Sequence, residues 1–179
     1  MKFSNKVFIA TSLDGYIADK DGSIDWLHNI PNPEGDDMGY KAFMSQVDSL
    51  VMGRTTFETV LAFGIDWPYE KPVFVLSNTM TKIPEELHGK VFLAKGPLKE
   101  ILRSIHQQGY HHLYIDGGAT IQGFLQEDLI DEMIITVIPT LLGGGSALFS
   151  KLDKNLDFEC VSSKIYLNKI VQNHFKRLN

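Results

Sequence analysis

The sequence predicts an α/β fold built on a mixed sheet, and three features of the chain carry that expectation. Short apolar runs rich in Val, Ile and Phe recur: VFIA at 7–10, LVM at 50–52, VFVL at 73–76, VFLA at 91–94, LYI at 113–115 and MIITVI at 133–138. Stripes with helical spacing fall between them. The tail from 157 to 178 reads as two strands in succession, which would pair antiparallel at a sheet edge. Strands alternating with helices imply a largely parallel sheet covered on both faces; the tail makes the sheet mixed.

In chain order, the run at 7–10 is the first strand. Tyr40, Phe43, Met44 and Val47 then follow the i, i+3, i+4, i+7 pattern of an amphipathic helix. After the strand at 50–52, Thr55 and Glu58 have capping-box spacing, which predicts a helix starting near Thr55. Leu98, Ile101, Leu102 and Ile105 form a second stripe, and Ile121, Phe124 and Leu125 a third, shorter one. No repeat, low-complexity tract or linker interrupts the pattern. The 179 residues, 44% of them hydrophobic, are therefore expected to form one domain, 1–179, with a substantial core.

Charge narrows the function classes. A net charge of -5 and the absence of any Lys/Arg run argue against a nucleic-acid groove, which needs a basic face. Cys160 is the only cysteine, so no internal disulfide can form; a reducing compartment and a buried, inert thiol are expected. The four apolar residues at 7–10 are too few for a signal peptide core, and 133–142 is too short and too polar to span a membrane. The expectation is a cytoplasmic protein that binds a small molecule, not a membrane or a nucleic acid.

Two junctions stand out, because in open α/β sheets ligands sit beyond the carboxyl ends of strands. The first is LVMGRTTFE at 50–58: Gly53 lets the backbone approach a ligand, Arg54 offers a fork suited to phosphate, and Thr55 and Thr56 place hydroxyls at a helix start. The second is LYIDGGATIQGFL at 113–125, where Gly117 and Gly118 stand between a strand and a helix. Glycine there serves either a tight turn or the room for another molecule. The G-x-G-x-x-G dinucleotide fingerprint is absent.

Five ordered segments make the chain similar to a known family: ATSLDGYIA (10–18), VMGRTTFE (51–58), VLSN (75–78), IDGGATI (115–121), and LIDE (129–132) followed by PTLLGGG (139–145). Together they resemble the dihydrofolate-reductase-like superfamily, and more closely the reductase domain of bacterial riboflavin biosynthesis. The resemblance implies a three-layer α/β fold with a mixed, mostly parallel sheet of about eight strands. It also implies NADPH as cofactor, an activity like that of 5-amino-6-(5-phosphoribosylamino)uracil reductase, and a homodimer. Carried over by position, Arg54, Thr55 and Thr56 would hold the cofactor's phosphates and Ser77 and Asn78 its adenosine end. Gly117, Gly118, Ala119, Thr120 and Ile121 would cradle the pyrophosphate, with Ala10 and Ile17 flanking the nicotinamide. The loop from Asp19 to Trp26 would be a lid. The zinc deaminase domain that commonly accompanies the riboflavin reductases has no counterpart here.

Hydride transfer leaves negative charge on the acceptor, so a proton source is needed. Asp14, Asp37 and Asp66 are the candidates weighed. Asp14 suits a turn equally well, and Asp66 reads as loop surface. Asp37 lies sixteen positions before Gly53, a separation that resembles dihydrofolate reductase, but it would also suit a helix N-terminus. With Trp26 as an aromatic wall and Thr136 as a hydroxyl, Asp37 would form an acceptor site for a flat polar ring. Two alternatives stay open: a true dihydrofolate reductase, and a nucleotide-binding module without turnover.

Overall fold

The computed structural model describes residues 3–178. Its first strand, β1 (Ser4–Ser12), is followed by the short β2 (Tyr16–Ala18), a 3-10 turn at Asp25–Asn29 and helix α1 (Tyr40–Met44). Then come β3 (Ser49–Gly53), α2 (Arg54–Ala62), β4 (Val73–Leu76) and β5 (Val91–Ala94). Helix α3 (Leu98–Gln107), β6 (His112–Asp116), α4 (Gly118–Gln126) and β7 (Glu132–Ile138) complete the alternating part. The two-residue β8 (Ser146–Ala147) precedes the hairpin of β9 (Phe158–Tyr166) and β10 (Ile170–Arg177).

Eight strands form one sheet in the order β5-β4-β3-β6-β1-β7-β10-β9, and β2 pairs with β8 apart from it. The six strands from β5 to β7 run parallel; β10 is antiparallel to both β7 and β9. This is the expected mixed, mostly parallel sheet. The inner strands read as near-continuous apolar runs because both faces are covered: Leu50, Val51 and Met52 of β3 are fully buried. The stripe on α3 docks Ile101, Leu102 and Ile105 onto the sheet. Burying such a side chain contributes about 1.5–3 kcal/mol relative to leaving it in water.

Two expectations change. The helix expected at Thr55 starts one residue earlier without the capping box: Glu58 accepts a hydrogen bond from the Arg54 side chain, and no side chain caps α2. Cys160 is exposed, not buried, because it lies on the edge strand β9, most of which faces solvent.

Candidate active site

A cleft of about 1180 Å³ opens along the carboxyl ends of β3, β4, β5 and β6, with Ile17 and Ala18 of β2 and Ser146 and Ala147 of β8 on its opposite wall. An ordinary small-molecule pocket holds roughly 300–1,000 Å³, so this one has room for an extended ligand. Parallel strands put these junctions on one edge of the sheet, which is why residues distant in sequence share the cleft.

One part of the cleft is suited to an anion. Helices α2 and α4 both begin at its wall, and neither N-terminus has a side-chain cap. Their first N–H groups carry the positive ends of the two helix dipoles. Gly53, Arg54, Thr55 and Thr56 line the cleft at α2, and Gly117, Gly118, Ala119 and Thr120 line it at α4. The half-exposed Arg54 guanidinium donates to Glu58 Oε1 at 2.7 Å and to Thr79 Oγ1 at 3.3 Å. Ser77 and Asn78 line the cleft beyond β4, where Asn78 Oδ1 accepts the Gly96 N–H.

The glycines serve the protein's own packing more than the sequence indicated. Gly117 has φ +89°, and a Cβ there would overlap Thr56 Oγ1. A Cβ on Gly118 would sit 2.7 Å from Ile17 Cδ1, and one on Gly53 would sit 2.9 Å from Thr120 Oγ1. Side-chain-free Cα atoms thus let α2, α4 and β2 close around the cleft.

The other part of the cleft holds a carboxyl that the sequence analysis did not single out. Asp116, the last residue of β6, lines the cleft beside Phe8, Tyr69 and Tyr114. Its Oδ1 accepts the Gly117 N–H at 2.8 Å. Burial pushes its carboxyl up to about 6, and the Gly117 N–H and the Tyr114 hydroxyl offset this only in part. In turn, burial and the Asp116 charge push the Tyr40 phenol up to about 12 and raise Tyr69 further. Tyr114 donates to the Phe8 carbonyl at 2.9 Å, fixing this aromatic corner. A carboxylate ending an inner parallel strand, immediately before a glycine turn, was the available signal.

The expected acceptor residues do not gather in the cleft. Asp37 is exposed, and its two oxygens accept the N–H groups of Gly39 at 2.9 Å and Lys41 at 3.0 Å. Those bonds, Lys41 first, hold its carboxyl below the ordinary value, so it works as a local cap at the start of α1. Thr136 is buried in β7, where its hydroxyl accepts from Gln172 Nε2 at 2.9 Å. Trp26 packs in a small core cluster with Ile138 and Ile170. Ile121, expected at the pyrophosphate, is fully buried on the core side of α4. Ala10 and Ile17 do line the cleft. Asp14 lies outside its lining, tied to the loop after β7 by bonds from Leu142 and Gly143.

This sheet order, with a cleft at its carboxyl edge, defines a dihydrofolate-reductase-like α/β protein. The fold matches that of a dihydrofolate reductase from Enterococcus faecalis complexed with NADP(H) and RAB-propyl, at TM-score 0.68 and 20% identity over 98% of this chain and 97% of that one. Residues 6–172 match the RibD C-terminal domain family, and the chain belongs to that family. A crystal structure from Shewanella sp. PV-4, assigned provisionally to riboflavin biosynthesis, has TM-score 0.96 and 56% identity, covering 98% of this chain and 99% of that one. The uncharacterized protein YwjB of Bacillus subtilis (strain 168) is 36% identical over 99% of both chains. Family and neighbours point to oxidoreductase chemistry of the riboflavin-pathway reductase kind. No helix among the described residues is long and apolar enough to cross a membrane.

Proposed function

We propose that this chain is an NADPH-dependent reductase that adds a hydride to a C=N or C=O group of a small heterocyclic or carbonyl compound. The observation that carries the reading is a partly buried carboxyl, Asp116, in the same cleft as two uncapped helix N-termini and Arg54. The helix termini and Arg54 suit a dinucleotide's phosphates, and the Arg54 fork suits a 2′-phosphate in particular. Ala10 and Ile17 offer apolar contacts for the nicotinamide ring. When bound, NADPH supplies the hydride.

Asp116 handles the proton. With its carboxyl near 6, a useful fraction is protonated close to neutrality, and the proton passes to the acceptor's nitrogen or oxygen as the neighbouring carbon is reduced. Asp116 is left as carboxylate and regains a proton from water through the cleft. The aromatic corner offers a flat ring its contact surface. A dihydrofolate reductase reading rested on Asp37 and Thr136, and both lie outside the cleft lining.

The test is a fluorescence titration with NADPH and NADH on the wild type and on Arg54→Ala. Losing the guanidinium should weaken NADPH by roughly 1.5–3 kcal/mol, about ten- to a hundredfold, and leave NADH nearly unchanged. A wild type that takes up no NADPH would sink the reading. NADPH oxidation is then followed with the aminopyrimidine intermediate of riboflavin synthesis and with dihydrofolate as acceptors.

A further inference from the structure

The ionisable groups lining the cleft are unevenly placed. Among the described residues, Arg54 is the only Lys or Arg that lines the cleft, and its guanidinium is turned toward Glu58 and Thr79, at the start of α2 and beyond β4. Asp116 stands in a corner made of Phe8, Tyr40, Tyr69 and Tyr114. Lys71, two positions from Tyr69, directs its ammonium to the carbonyl oxygens of Met44 and Val47. Lys20 lies along Gly144, outside the lining. The corner therefore offers one carboxylate, aromatic surface and phenol groups, with no cation among the described residues to meet an anionic substituent.

We infer that the acceptor bound at Asp116 is a flat, unphosphorylated ring, neutral or cationic, that presents an N–H to this carboxylate, such as an amidine or an imine. The inference rests on the reductase reading for the reaction but not for the recognition. A phosphate or carboxylate on the ligand would stand beside the Asp116 charge in a poorly hydrated corner, where like charges repel strongly. A ring N–H gives the Asp116 carboxylate a donor besides the Gly117 N–H, and an aromatic plane stacks on Phe8 or Tyr69. An imine that has taken the Asp116 proton forms an ion pair with the carboxylate left behind and is thereby activated toward hydride.

A charge series on one ring tests this directly. Benzamidine, benzamide, benzoate and phenyl phosphate are titrated calorimetrically into the protein, both free and loaded with NADP⁺, at a pH where Asp116 is ionised. In the loaded form the cofactor's phosphates are expected at Arg54, and the free form makes the comparison without the cationic nicotinamide ring of NADP⁺. The expected order is benzamidine, then benzamide, with benzoate and phenyl phosphate weaker than benzamidine by at least about tenfold. Asp116→Asn should abolish the preference, and it should fold, since it removes a buried charge and keeps an oxygen for the Gly117 N–H. The inference is overturned if phenyl phosphate or benzoate binds as tightly as benzamidine, if the preference survives Asp116→Asn, or if benzamidine does not bind. Failure to bind NADPH would overturn the reductase reading alone, because the series on the cofactor-free protein still decides this one.

Discussion

Asp14 and Asp116 occupy near-identical stretches of sequence, Leu13-Asp14-Gly15 and Ile115-Asp116-Gly117, and the fold gives them opposite chemistry. Each lies at or just beyond the carboxyl end of an inner strand, β1 or β6, which are neighbours in the sheet. Each precedes a glycine with positive φ, +84° at Gly15 and +89° at Gly117. Asp14, on the surface, accepts from Ser12 Oγ at 2.6 Å, Leu142 N at 3.1 Å and Gly143 N at 2.8 Å. Led by the Ser12 hydroxyl, these donors hold its carboxyl down at about 2. Asp116 has the single backbone donor Gly117 and an aromatic surround, and rises to about 6. What separates them is long-range: the loop at Leu142 and Gly143 supplies donors to one, while strands and loops from elsewhere desolvate the other. One aspartate anchors a loop; the other keeps its proton to a higher pH.

The largest test of that contrast is activity. Asp116→Asn should lower NADPH oxidation with a working acceptor by roughly a hundred- to a thousandfold, the usual worth of a general acid. Asp14→Asn should leave turnover within a few-fold and act on thermal stability, because it weakens bonds to a loop outside the cleft lining. Equal losses of turnover in the two variants would break the contrast.

The next test is the pH profile. An acid must be protonated to donate, so kcat/KM should fall about tenfold per pH unit above the Asp116 value of about 6. Asp14, ionised throughout that range, should contribute no limb. A profile flat between about pH 5 and 9, with chemistry limiting, would remove Asp116 as the proton donor.

The two glycines sharpen the contrast through packing. A Cβ at Gly15 meets open space, so Gly15→Ala should cost only the strain of positive φ, about 1–2 kcal/mol. At Gly117 the same strain is joined by collision with Thr56, and Gly117→Ala should cost more, about 2–4 kcal/mol in chemical denaturation. Equal losses would mean that Thr56 yields freely and that α2 and α4 are not locked at the cleft.

These contrasts also explain what the sequence could reveal. The strands from β1 to β7 that build the sheet were legible because burial on both faces leaves unbroken apolar runs. The three-residue β2 and two-residue β8 were not, having too few residues for a period and no fully buried side chain. The anion-suited junctions at Gly53–Thr56 and Gly117–Thr120 could be read because Gly, Arg and Thr at a helix start are themselves the chemistry. The residues expected together on the acceptor side lie outside the cleft lining for the converse reason. Spacing singled out Asp37, whose carboxylate is satisfied within its own turn, whereas Asp116 becomes notable only once Phe8, Tyr40 and Tyr69 converge on it from distant segments. Cys160 was expected inside on its intrinsic preference, which an edge strand overrides.

The smallest expected effect is on stability, and its sign distinguishes the two aspartates. Asp116 has a folded value, about 6, above the ordinary 3.8, so the native state holds its proton more tightly than the unfolded chain does. Its favourable contribution is complete below about pH 4 and fades as pH rises through about 6, leaving the native protein burdened by a buried charge at neutrality. Asp116→Asn should accordingly stabilise the protein at pH 7.5 by about 1–2 kcal/mol, a range reduced for the water that reaches the carboxyl through the cleft, and change little at pH 4. Asp14 runs the other way: its folded value, about 2, lies below 3.8, so its contribution is present above that value and is lost as pH falls toward 2. Asp14→Asn should lower the unfolding free energy at neutral pH, with the difference shrinking in acid. Urea denaturation of the three proteins at both pH values reads this out, and an Asp116→Asn that is less stable than wild type at pH 7.5 would show that the carboxylate holds the fold together instead of straining it for chemistry.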